Sequence, residues 1–244
     1  MSQPLSFERC RAFIDCQLQS GERGRQTVPM ADPRPAITIS REAGAGGIPV
    51  AERLADYLQA RMPTAGRPWT AFDRNLVEKV LEDHHLPAHL ASHLPEDDVS
   101  QIADILEELF GLHPPSWTFV HQTAETILRL ARLGNVILVG RGANVITAKL
   151  DNTFHVRLVG SLEPRLELLQ DYYRLDRHAA IRFIEQHDRG RARYLRKYFH
   201  RDINDPLLYH LILNTDRFSC EEAARLIGET VMRKFYPATV AQAA

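Results

Sequence analysis

The chain has few cysteines and lacks any long apolar run. Among its 244 residues are three widely spaced cysteines, Cys10, Cys16 and Cys220. So small and odd a number predicts reduced thiols and a cytoplasmic location rather than a disulfide framework. No apolar run reaches the roughly 18 residues that a membrane-spanning helix needs, and the N-terminus lacks the basic-then-apolar order of a secretory signal. We therefore expect no membrane partner.

The chain also has almost no net charge. A formal charge of −1 provides no general attraction for nucleic acid, so we expect no nucleic-acid partner. The charge is nevertheless uneven, because residues 82–111 contain eight acidic residues and no lysine or arginine, whereas residues 174–201 contain nine basic and three acidic residues. A near-neutral chain with one basic segment is typical of a protein that meets a localised anion.

A glycine-dense segment is the main motif. The β-prone run that begins at Ala36 leads through Gly44, Ala45, Gly46 and Gly47 into an amphipathic helix that ends near residue 60. A strand, a glycine turn and a helix in this order form a phosphate cradle, because backbone N–H groups and the helix dipole then point at the anion. A full P-loop continues with lysine and a hydroxyl residue, which this chain lacks.

Five predicted strands alternate with helices along the rest of the chain. They cover residues 36–39, 69–72, 136–139, 154–159 and 209–213. Alternation of this kind predicts an α/β fold with a three-layer parallel sheet. We interpret residues 1–35 as an N-terminal helical extension and linker, and residues 36–244 as one domain. That domain would contain a helical insert at 84–134 and a basic lid at about 176–204.

Several charged residues fall where such a sheet binds ligands. Asp73 directly follows the second strand, and Arg141 follows the third strand between two glycines. The carboxyl ends of parallel strands are where open α/β sheets bind ligands, so both residues are candidates for the site. The arginines at 189, 191, 193 and 196 provide cations that a phosphate can use.

Four histidines give a weaker signal. His85, His89 and His93 recur every four residues, and His84 is adjacent to them. On an unbroken helix this spacing would suit a metal, but Pro87 interrupts the set. We favour a solvated or partner-facing cluster and assign no metal site.

Six segments in this order resemble the cytidylate kinase-like branch of the P-loop nucleoside monophosphate kinases. They are ITISREAGAGG, the strand that ends in Phe72-Asp73, VILVGRGA, FHVRLVGSLEPRLELL, DRGRARYLRKYF and DPLLYHLILNT. The resemblance covers about residues 36–235. It implies a P-loop NTPase fold, ATP with Mg²⁺ as cofactors, and transfer of the γ-phosphoryl group to a nucleoside monophosphate such as CMP.

The resemblance also implies roles for individual residues. The glycine loop and Arg41 would bind ATP, with Arg41 or a lid arginine as the substitute for the missing lysine. Asp73 and Arg141 would bind the acceptor. The catalytic residues would be Arg141 together with the lid residues Asp188, Arg189 and Arg193.

Three alternatives stay open at this point. Ile48 and Pro49 are apolar where the family often keeps polar residues, so the protein can instead be a catalytically impaired nucleotide-binding sensor or partner module. A kinase with a small metabolite as its acceptor is a further possibility, with the acidic insert setting its specificity. The N-terminal extension can cap the domain or mediate self-association, which leaves a homo-oligomer possible.

Overall fold

A five-stranded parallel sheet forms the centre of the protein. The computed structural model describes residue 13 and residues 34–62, 68–73, 96–110 and 118–237. The strands are β1 (Ala36–Arg41), β2 (Thr70–Phe72), β3 (Val136–Val139), β4 (Thr153–Val159) and β5 (Leu211–Asn214). Their spatial order is β2-β3-β1-β4-β5, and every pairing is parallel. The predicted three-layer α/β fold is confirmed.

Seven helices surround this sheet in the described ranges. They are α1 (Gly47–Arg61), α2 (Glu96–Phe110), α3 (Thr118–Leu133), α4 (Ala143–Ile146), α5 (Leu162–Tyr173), α6 (Arg177–Phe199) and α7 (Cys220–Phe235), with a 3₁₀ turn at Pro206–Leu208. Among these helices none is long and apolar enough to cross a membrane. The histidine cluster at residues 84–93 lies outside the described residues.

Each face of the sheet carries its own apolar cluster. Side chains alternate along β1, so that Ile37 and Ile39 pack with α1 and α7 on one face, whereas Ala36 lies in the cluster on the other face with α2, α3, α4 and the end of α6. A smaller cluster joins α5 to α6 through Leu166, Leu169, Ala180 and Ile184. The hairpin of α5 and α6 is therefore packed at its own interface and lies beside the carboxyl end of β4.

The N-terminal segment contributes to this core at one described residue. Phe13 is helical and fully buried, and its ring meets Phe72 edge-on with the centroids 5.7 Å apart. A buried aromatic residue makes a large apolar contribution to stability. At Phe13, then, the extension predicted from the sequence is part of the core of the domain.

Local signals explain where several helices begin. Ser219 and Glu222 form a capping box at the start of α7, which satisfies backbone N–H groups there. Ser161 is the N-cap residue of α5, but its side chain makes no capping hydrogen bond. Instead Asp216 accepts hydrogen bonds from the Ser161 N–H at 3.0 Å, which fixes the turn after β4.

Candidate functional site

The turn between β1 and α1 has the backbone of an anion cradle. Gly44 and Gly46 adopt left-handed conformations, with φ of 82° and 75°. A Cβ at Gly44 would overlap the carbonyl oxygen of Arg165, so a larger residue would displace the loop. Gly46 caps α1 without a side-chain hydrogen bond. An uncapped helix start leaves backbone N–H groups for an anion.

Arg41, the last residue of β1, lies across this turn. A Cβ on Gly47 would come within 2.8 Å of Arg41 Cγ, and a Cβ on Gly140 would overlap Arg41 Nη1. The side chain therefore passes between the glycine loop and the turn after β3, and glycine at both positions makes room for it. The protein thus has a cation next to the loop whose sequence lacks the usual lysine.

The electrostatic surroundings of Arg41 are unusual. Burial lowers the pKa of Arg41 to about 9, and the neighbouring Arg191 lowers it further, while Asp73, Tyr173 and Asp188 oppose this. Burial also lowers the pKa of Arg191, although Asp188 counteracts the effect. Arg191 adds positive charge near the buried guanidinium of Arg41, and an anion bound beside them would stabilise the charged form of Arg41.

Asp188 ties α6 to the start of the glycine loop. Its Oδ1 accepts hydrogen bonds from the Ala43 N–H at 2.8 Å and from Arg191 Nη1 at 3.0 Å, and its Oδ2 pairs with Arg165. Arg165 also donates to the Ala43 carbonyl at 2.7 Å and to Glu42 at 3.3 Å. These contacts position the loop and α6 relative to each other; a direct catalytic role of Asp188 stays a prediction.

Arg141 lies at the carboxyl end of β3, as the sequence predicts. It has a φ of 54° between Gly140 and Gly142, whose φ values are 90° and 71°. Its guanidinium carbon lies 6.0 Å from the centroid of the Tyr194 ring on α6. Burial raises the pKa of Tyr194 to about 12, although Arg141 acts in the opposite direction. Arg141 is therefore held near α6 by the strained turn that precedes α4.

The arginines of α6 divide between two faces of the helix. Arg189 and Arg193 are exposed, and Arg189 pairs with Glu185 at 3.6 Å. Arg191 lies on the inner face with Asp188 and the buried Leu195. Arg191 has no separate role in the sequence-based prediction, although its spacing from Asp188 and Leu195 is helical and indicates this face.

Asp73 and two tyrosines complete the surroundings of Arg41. Asp73 follows β2 and raises the pKa of Arg41. Tyr172 and Tyr173 end α5; burial raises the pKa of Tyr172, and Glu52 and Asp73 contribute in the same direction. No sequence motif indicated a role for these tyrosines. Among the described residues no group of histidine, cysteine and carboxylate side chains is arranged to hold a metal ion.

The strand order and the glycine loop define the class of this protein. A parallel sheet with β3 and β4 on either side of β1, and a glycine turn between β1 and α1, is a P-loop kinase-like arrangement. The model of the cytidylate kinase-like family matches residues 36–217, and the chain belongs to this family.

A solved structure has the same fold. It is the crystal structure of an uncharacterized protein from Eubacterium ventriosum ATCC 27560, which is similar to this chain with a TM-score of 0.55 and 16% identity. The match covers 81% of this chain and 98% of that one. No curated protein matches the chain.

Proposed function

We propose that the protein transfers the γ-phosphoryl group of ATP to a nucleoside monophosphate, with CMP as the first acceptor to test. The observation that carries the proposal is Arg41, which lies across the glycine loop beside Arg191. Phosphoryl transfer requires mainly positioning and cations around the transferring oxygens. The family membership of residues 36–217 supports the same reaction.

The donor phosphates fit the glycine turn. Its N–H groups would bind phosphate oxygens, and Arg41 would add the charge that a lysine provides in a full P-loop. An oxygen of the acceptor phosphate attacks the γ-phosphorus, the bond to the β–γ bridging oxygen breaks, and ADP leaves. We assign the neutralisation of charge during this transfer to Arg191, because it adds positive charge near Arg41. Mg²⁺ would arrive with ATP, held chiefly by phosphate oxygens and water.

The other predicted residues have distinct roles in this proposal. Asp73 and Arg141 lie at the ends of β2 and β3 and would orient the acceptor. Asp188 would hold the glycine loop and Arg191 in place. Because Arg189 and Arg193 are on the outer face of α6, we propose that they attract the nucleotide at long range and matter less than Arg191.

A coupled assay with ATP and each nucleoside monophosphate tests the reaction. We expect turnover with at least one acceptor, a loss of about two orders of magnitude in kcat/KM for Arg191→Gln, as for a lost transition-state contact, and little change for Arg189→Gln. The second variant is the matched control, because it removes an exposed arginine from the same helix. Absence of turnover with every acceptor would contradict the kinase proposal.

A second candidate function is a nucleotide-binding module without catalysis. It is favoured by Ile48, which packs against the apolar cluster beneath α1, and by Pro49, which has no N–H. Neither residue provides the hydroxyl that helps to hold Mg²⁺ in a full P-loop. Calorimetry with ATP, CMP and CDP separates the two functions: binding without turnover favours the module, and turnover favours the kinase.

Several wider features belong to the same proposal. We propose that the insert at 84–134 contacts the acceptor and that residues from about 176 to 204 act as the lid. In this proposal the insert determines which acceptor is bound. If no nucleotide is phosphorylated, the acceptor would instead be a small metabolite. The low cysteine content supports a cytoplasmic location.

A further inference from the structure

Aromatic side chains line the hairpin of α5 and α6 next to the glycine loop. Tyr172 and Tyr173 meet edge-on with their ring centroids 4.8 Å apart. Tyr173 also contacts Phe183 on α6, with the centroids 5.5 Å apart, and Phe183 stacks on His187 at 3.8 Å. This group of four rings is called the aromatic row below.

The aromatic row leads toward the cations of the site. Phe183, His187 and Arg191 recur every four residues on α6, so they share one side of the helix. Eight residues of α helix span about 12 Å, a length comparable with that of a nucleoside monophosphate. A ligand with its phosphate at Arg191 would therefore have its base near the other end of the row.

Tyr173 has more exposed surface than packing requires. It is 50% exposed, whereas the apolar cluster that joins α5 to α6 is made by other residues. Tyr173 also acts electrostatically on both Arg41 and Arg191, where it opposes the lowering of their pKa by burial, so it faces the same part of the site. A nucleotide can therefore stack its base on this exposed ring while its phosphate contacts the two cations.

The row lies on the side of the site where the acceptor is expected. Burial raises the pKa of the neighbouring Tyr172, and Glu52 and Asp73 act in the same direction, so the end of α5 faces Asp73, the residue that follows β2. In the proposed function this is where Asp73 orients the acceptor, while the glycine turn holds the donor phosphates.

We propose that Tyr173 stacks on the base of the acceptor nucleotide and so determines acceptor affinity at this site. This inference rests on the proposed function for the identity of the acceptor. Stacking depends on the flat surface of a base and is tolerant of base identity. Tyr173 therefore provides affinity for nucleotides over sugar phosphates, while selection between cytosine and other bases comes from elsewhere.

Three variants test the contact. Tyr173→Ala removes the ring, Tyr173→Phe keeps it, and Phe218→Ala removes another exposed ring, at 38%, from the turn before α7. We expect Tyr173→Ala to raise the Kd and KM for CMP about tenfold or more, the effect of losing one base–aromatic stack. Tyr173→Phe and Phe218→Ala should stay within about twofold of the parent protein, and the Kd for ATP should not change in any variant.

Ribose 5-phosphate, which has a phosphate but no base, separates stacking from a general effect on the site. Its Kd should be the same for the parent and for Tyr173→Ala. An unchanged Kd for CMP in Tyr173→Ala, an equal loss for ribose 5-phosphate, or a loss restricted to ATP would overturn the inference. Thermal melting of each variant checks that it is folded.

The outcomes separate this inference from the proposed function. If Tyr173→Ala weakens CMP binding but the parent protein shows no turnover, the kinase proposal is contradicted and the stacking contact is supported. Turnover that does not depend on Tyr173 would support the kinase and contradict the contact. Failure of the parent protein to bind any nucleoside monophosphate would contradict both.

Discussion

Arg41 should reduce the stability of the ligand-free protein. Burial is the main cause that lowers its pKa from the ordinary arginine value to about 9, which corresponds to a cost of at most about 5 kcal/mol for keeping it charged. Arg41→Met keeps an unbranched side chain between Gly47 and Gly140 and removes the charge. Because well-packed apolar replacements of buried ions often stabilise proteins by about 1–4 kcal/mol, we expect Arg41→Met to gain about 1–3 kcal/mol.

The sign of the pH dependence follows from the same pKa. Arg41 is charged in both the folded and the unfolded state at neutral pH, so its cost is fully present below about pH 9. Above that pH the unfolded chain holds more protons, and the cost disappears as the pH approaches 12.5. The difference between parent and variant should therefore be constant from about pH 6 to pH 8.

Urea denaturation is the suitable assay, because guanidinium would add a competing cation and a high salt concentration. Arg189→Met is the control, since this arginine is exposed and should change stability by less than about 0.5 kcal/mol. Pyrophosphate at one hundred times its Kd should stabilise the parent by about 2.7 kcal/mol, and it should not stabilise Arg41→Met. A variant less stable than the parent without ligand, or one that pyrophosphate still stabilises equally, would refute the role given to Arg41.

Three further predictions concern the fold and the loop. Phe13→Ala should cost about 3–5 kcal/mol, because the side chain is fully buried, and calorimetry should show a lower melting temperature. Burial lowers the pKa of His155 to about 4, so the unfolded chain binds more protons than the folded protein as the pH falls below 6.5. Urea denaturation should therefore show that the free energy of unfolding decreases by about 2 kcal/mol from pH 7 to pH 5. His155→Gln should remove this decrease. Gly44→Ala should displace the loop and abolish ATP binding in calorimetry, because Gly44 has a φ of 82° and the new Cβ would overlap the carbonyl oxygen of Arg165. The control Gly190→Ala has open space in α6 and should stabilise the protein by about 0.5–1 kcal/mol.

The sheet could be predicted because its signals are local. The apolar run of β3, the glycine turn after β1 and the capping box of α7 each depend on a few consecutive residues, and the alternation of strands and helices then implies parallel pairing. Arg141 and Asp73 were found in the same way, since a residue directly after a buried strand lies at the ligand-binding end of the sheet.

The contacts that build the site could not be predicted, because they join distant parts of the chain. The Asp188 bond to the Ala43 N–H spans 145 residues, and the space that Arg41 occupies depends on glycines in two separate turns. The arginines of α6 show that composition alone is insufficient. A basic run identifies the helix, but only the helical period distinguishes Arg191, which faces inward, from Arg189, which faces outward. Phe13 was missed as a core residue because an amphipathic helix before a glycine- and proline-rich linker is equally compatible with docking or self-association.

The position of Arg41 explains why lysine is absent from the loop. A Cβ at Gly47 would lie 2.8 Å from Arg41 Cγ and 3.1 Å from Arg41 Cδ, and Gly140 blocks the other side of the arginine. A lysine at position 47 and an arginine at position 41 thus compete for one space. Gly47→Lys should therefore be destabilising alone and less so when combined with Arg41→Gly, with a coupling energy of about 0.5–3 kcal/mol in a double-mutant cycle measured by urea denaturation. Additive effects of the two substitutions would mean that the arginine can move aside, and that the missing lysine needs another explanation.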